Sequence, residues 1–258
     1  MAGAFSLIFP KAARALLVSG LAAIVLSACA TTMPARTSAD YSNLPASQVQ
    51  IAVADLASRY RADPGIRELG IHYAAALRAA GQNAQAVTVM ETLVGRYPGD
   101  SSVSLAYAKA LTADGRFEQA LAVTDNAANP VAPDWEVLSV RGAILDQMGE
   151  HALARQAYEQ ALLLAPTEAS LHANLGLSYA MTGDLARAEA ALRQAVALPG
   201  ASSRVWQNLA LVMGLQGRFG EAEAIYAQHL PPDEVAANMA YIRSMLTEQS
   251  RWDAIRQG

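Results

Sequence analysis

The chain has 258 residues, room for one large domain or two ordinary ones, and is 53% apolar but only 6% aromatic, which suits close-packed helices better than sheets. Its net charge is -4, and -6 once Lys11 and Arg14 are set aside, with no basic stripe, so charge argues against a nucleic-acid partner. A single cysteine excludes an intramolecular disulfide.

The N-terminus reads as an address. Lys11 and Arg14 precede the apolar stretch Ala15–Ala28, whose 14 residues fit a signal-peptide core and fall short of the ~20 needed to cross a bilayer. The stretch ends at Leu26-Ser27-Ala28-Cys29. That ending resembles the bacterial lipobox, which implies removal of residues 1–28 and lipidation of Cys29. Two or more acyl chains give stable anchoring, at about 0.8 kcal/mol per buried methylene. Ala30 follows the cysteine, which under the enterobacterial sorting rule implies the outer membrane. Residues 29–46 lack apolar periodicity and are rich in Ala, Thr, Ser and Pro, so a flexible tether is expected.

From residue 67 the chain repeats every 34 residues. The windows are 67–100, 101–134, 135–168, 169–202 and 203–236. Their fifteenth residues are Gly81, Gly115, Gly149, Gly183 and Gly217; their twentieth are Ala86, Ala120, Ala154, Ala188 and Ala222. The eighth is always Ala or Gly, the eleventh is large, and a proline closes or nearly closes four of the units. Two antiparallel helices per unit follow. Glycine ends the first by taking the left-handed conformation, small residues allow close crossing, and proline stops the second. Residues 47–66 read as a lone second helix that caps the array, with Ala52 in the alanine column. Residues 233–258 read as a C-terminal cap and tail, with a helix over 234–247 whose Val235, Met239, Ile242 and Leu246 share one face.

This pattern resembles the tetratricopeptide repeat. Residues 171–198 and 137–166 carry the likeness best, and Trp206 stands at the family's tryptophan place. The window from Ser101 departs most, with Ser104 at that place and Thr124 at the usual aromatic site, so looser packing or a frayed helix is expected there. The implied fold is all-α, a right-handed solenoid of antiparallel helix pairs. The implied binding surface is the concave face of the first helices, at the second, fifth, ninth, twelfth and thirteenth places. We expect a partner-binding groove from Arg78, Leu105, Lys109, Ser139, Asp146, Leu177, Met181, Arg204, Gln207 and Leu211. Asn174 and Asn208 join them at the sixth place, where the family often uses asparagine to hold a ligand backbone. The groove is mixed-charge toward its N-terminal end and more apolar toward its C-terminal end.

Nothing in the sequence supplies chemistry. The four histidines occupy different repeat places, none lies at ligand spacing, and no nucleophile elbow or phosphate-binding loop is present. No cofactor, metal, small-molecule substrate or catalysis is expected; protein partners and a membrane are. Residues 203–226 and the tail 233–258, with the lipobox, are similar to the tetratricopeptide lipoprotein of tight-adherence (Flp) pilus systems. That resemblance implies a scaffold for pilus assembly, related to type II/IV secretion, with a pilotin-like role toward the secretin. Another envelope machine, for outer-membrane protein, cell-wall synthase or polysaccharide assembly, is the alternative.

Overall fold

Two stop signals, recurring every 34 residues, cut the chain into helices of 11 to 14 residues. The computed structural model describes Tyr41, residues 44–129 and residues 131–257, with side chains through residue 247. Every described helix lies in one compact unit, Ser38–Gly258. In order these are α1 (Ala46–Ala62), α2 (Arg67–Ala79), α3 (Asn83–Arg96), α4 (Ser101–Ala113), α5 (Phe117–Ala127), α6 (Trp135–Gln147), α7 (His151–Leu164), α8 (Ala169–Met181), α9 (Leu185–Ala197), α10 (Ser203–Leu215), α11 (Phe219–His229) and α12 (Pro232–Gln257). The described residues contain no strand.

Each unit's first helix is 13 residues long and ends just before its glycine. Those five glycines have φ between 73° and 83°, where an L side chain is strained. A Cβ on Gly183 would meet nothing within 4 Å, so Gly183→Ala carries only the backbone cost, about 1–2 kcal/mol. Thermal unfolding should show this as a lowered midpoint. Carboxylates cap several helix starts: Asp100 accepts from the Val103 amide, Asp134 from Glu136 and Asp184 from Arg187.

The five column alanines have no exposed surface, as close helix crossing requires. At the eighth place glycine is matched to a large partner. A Cβ on Gly142 would lie 2.6 Å from the Tyr158 ring, and one on Gly176 would lie 2.8 Å from Leu192. The second unit packs tightly, so the expectation of looser packing fails while that of a helix frayed near residues 126–134 is met. Thr124 is 1% exposed and donates its hydroxyl to the Leu121 carbonyl at 2.8 Å. The divergence appears instead as length, since α5 stops at Ala127 and α6 starts only at Trp135.

Each first helix packs backbone-close against the first helix of the next unit, from α2–α4 through α10–α12, whereas among the described residues no two second helices approach as closely. The first helices therefore form the inner, more crowded layer.

Both ends differ from expectation. The tether was expected to run through residue 46, yet Tyr41 is only 7% exposed and packs with Ala52, Leu56 and Leu69. Its hydroxyl pairs with His72 Nδ1 at 3.1 Å, and its ring meets the imidazole edge-on. Tyr41 thus covers the side of α1 where a preceding first helix would lie. Burial, and then the nearby Arg59 charge, hold the His72 imidazole below its ordinary value of 6.5, with Glu68 opposing. The fold favours the neutral ring, so its stabilising contribution is full above that value and is lost as pH falls below it and through the lowered folded-state value. Exchange protection over α1 and α2, taken relative to the intrinsic amide rate at each pH, should be lower at about pH 5.5 than at about pH 7.5. At the other end, α12 is longer than the expected 234–247, and it already occupies the last residues of the fifth window. Residues 1–28, read above as a signal peptide, Cys29, and most of residues 30–46, read above as a tether, lie outside the described residues.

Candidate inner-face binding site

The site is the inner face of α2, α4, α6, α8 and α10. Arg78 at the end of α2 is half-buried and Lys109 on α4 is exposed. Ser139 on α6 is half-buried and accepts from the Asn174 amide of α8 at 3.4 Å. Leu177 is half-buried and Met181 is 52% exposed. On α10, Arg204 is exposed, while Gln207, Asn208 and Leu211 are half-buried. Leu211 leans on the core formed by α8 to α12 and is half-buried.

Two expected groove residues do not line it. Leu105 is 6% exposed and belongs to the core between α2 and α6, because the neighbouring first helices close over its edge of the face. Asp146 is also 6% exposed. Its carboxylate accepts from Ser178 Oγ at 2.8 Å and Tyr158 Oη at 3.1 Å, and it pairs with His151 Nδ1 at 2.9 Å. Asp146 is a buried joint between the third and fourth units. Burial first, and then the Asp146 charge, push the Tyr158 phenol far above its ordinary range, so it stays a donor at any physiological pH. The polar joint sits beside apolar residues that link the flanking units: Leu145, Ala154 and Tyr158 pack together, with Leu121 of the second unit and Leu175 of the fourth against them.

Beside this joint, Arg155 and Arg187 flank the Tyr179 ring at 5.1 and 4.8 Å. Arg155 also donates to the Ser178 carbonyl and to Thr182 Oγ1, each at 3.3 Å. In the next unit Arg218 bridges Glu189 and Glu221, both at 2.7 Å. These contacts pin the turns that carry the inner face. Among the described residues no group of three His, Cys, Asp or Glu side chains could hold a metal ion, and no helix is long and apolar enough to cross a membrane.

A stack of paired helices with an open, side-chain-lined inner layer defines a class of protein-binding solenoids. Three family models, each described as a tetratricopeptide repeat, match residues 77–144, 141–203 and 206–228, together more than half of the chain. The chain belongs to the tetratricopeptide-repeat family. No curated protein matches its sequence. A tetratricopeptide-repeat protein of Thermus thermophilus shares the fold with TM-score 0.61 and 24% identity, over 69% of this chain and 98% of that one. PilW, described as a widely conserved type IV pilus biogenesis factor, shares it with TM-score 0.54 and 17% identity, over 70% and 84%. PilF of Pseudomonas aeruginosa does so with TM-score 0.50 and 15% identity, over 70% and 83%. At these identities the likeness carries the fold alone.

Proposed function

We propose that this protein is a lipid-anchored, non-enzymatic scaffold on the periplasmic face of the outer membrane that grips a component of a pilus-assembly apparatus. The observation that carries the gripping role is the open inner face of α8 and α10, where Leu177, Met181 and Leu211 keep accessible apolar surface beside the Asn174 and Asn208 amides. Exposed apolar residues gathered on a rigid array mark a place for a partner. The lipobox at Cys29 supports the anchor. The resemblance of residues 203–226 and 233–258 to the tight-adherence pilus lipoproteins supports the pilus assignment. PilW shows that a pilus biogenesis factor can be built on this fold.

In this reading Cys29 supplies the address and the groove supplies the grip, in the manner of a pilotin delivering secretin subunits. Cys29→Ala is then expected to leave groove binding unchanged while secretin rings are lost from the outer membrane. Normal rings at normal position in that strain would remove the pilotin role.

A further inference from the structure

We infer that α12 is not only a cap but a third rung of the binding strip, and that the strip takes an extended, uncharged segment of a partner protein with an apolar side chain at every third residue. This rests on the groove reading above and deepens it.

The repeat place of each α12 residue follows from contacts. In the third and fourth units a twelfth-place residue meets the tenth-place residue of the next first helix: Asp146 accepts from Ser178 at 2.8 Å. In the same way, a Cβ on twelfth-place Gly214 would lie 2.8 Å from Ile242 Cδ1. Ile242 therefore holds the tenth place, and the sixth unit starts at Asp233, four residues before a strict 34-residue period would put it. Val235 and Met239 then fall at the third and seventh places and are buried, as Val205 and Leu209 are. The fifteenth place holds Thr247 where the complete units have glycine, so α12 runs on to Gln257 instead of turning.

In this register the inner face of α12 repeats that of α8 and α10. The sixth place reads Asn174, Asn208, Asn238, and the ninth reads Leu177, Leu211, Tyr241. The thirteenth reads Met181, Leu215, Met245. Tyr241 is 60% exposed and Met245 37%, so the strip widens toward the C-terminal end. No charged side chain stands at any of these nine places, and the charged residues at the second place, Arg204 and Glu234, have opposite signs, so the strip offers no net counter-charge to a charged segment.

Spacing and hydrogen bonding select the conformation. Packed helices lie about 8–10 Å apart, and three residues of polyproline-II chain rise about 9.3 Å. One apolar side chain in three thus meets each rung. The side chains of Asn208 and Asn238 make no hydrogen bond among the described residues, so each amide is open to a peptide group. An extended segment leaves its backbone groups unpaired, whereas a helix satisfies its own.

The test uses the full chain in detergent and three labelled synthetic peptides, read by fluorescence anisotropy. One carries Leu-Ser-Pro repeats, one is a permutation of the same residues without the three-residue period, and one is an amphipathic helix. The periodic peptide should bind at least tenfold tighter than the other two. Asn238→Ala and Tyr241→Glu should each weaken it at least tenfold, with the helical circular dichroism unchanged. If Leu177→Glu weakens binding while both α12 changes leave it intact, the groove stands and the third rung falls. A preference for the helical or permuted peptide, or no binding by any of them, overturns the extended-segment inference, while capture of an envelope partner judges the groove reading separately. Light scattering at the same concentrations should show a monomer; a dimer abolished by Tyr241→Glu would assign this face to a second copy instead.

Discussion

Alanine at Tyr158 is expected to cost about 3–5 kcal/mol, the range for truncating a buried aromatic, making it among the most damaging single changes in the array. Tyr158 is 2% exposed and fills the space that Gly142 leaves open. Its hydroxyl also satisfies one oxygen of Asp146. Removing the ring opens a cavity between α6 and α7, and removing the hydroxyl leaves a buried carboxylate short of a donor. Tyr158→Phe isolates the second effect and should cost about 1–3 kcal/mol. Because a solenoid is stabilised mainly by neighbour contacts, the loss should be local. Hydrogen exchange should therefore quicken first in α6, α7 and α8. Equal acceleration in α2 and α11 would contradict the idea of a joint confined to the third and fourth units.

The second large effect is on binding. Leu177→Glu with Leu211→Glu puts two carboxylates on adjacent rungs of the strip. A truncation at a well-placed interface residue costs about 2 kcal/mol or more, so the pair should weaken a partner by about 4 kcal/mol, roughly a thousandfold. Both positions are half-buried rather than buried, so the array should keep its helicity. Undiminished affinity in the double variant would show that the partner docks elsewhere.

The helix pairs were legible because two signals kept strict time. Five glycines and five alanines recur on an unbroken period, and each sits where backbone geometry or helix crossing permits little else. The groove was legible only at its centre. A helical face read from five places is wider than the strip that neighbouring helices leave open, so Leu105 and Asp146, at its edges, proved buried. Periodicity alone could not reveal that Asp146 would find Ser178, Tyr158 and His151, since those partners are specific to one joint.

Asn238, Tyr241 and Met245 were missed for a different reason. A four-residue shortening between α10 and α12 takes them out of the strict period. A local signal was nonetheless present. Asn174-Leu-Gly-Leu177, Asn208-Leu-Ala-Leu211 and Asn238-Met-Ala-Tyr241 share asparagine, a large apolar residue, a small one and a second large one. Aligning on that four-residue pattern instead of the period recovers the sixth unit. Tyr41 carried no periodic signal, and its burial follows only from the uncovered side of α1.

The most direct test of a membrane-tethered, groove-binding scaffold is affinity capture of the native lipidated protein from crosslinked envelopes, read by mass spectrometry, with the Leu177→Glu/Leu211→Glu variant beside it. The predicted result is enrichment of a secretin or another pilus component with the native chain and its loss with the variant. Capture of the same proteins by both forms would contradict the account, because the partner would then be held by some other surface.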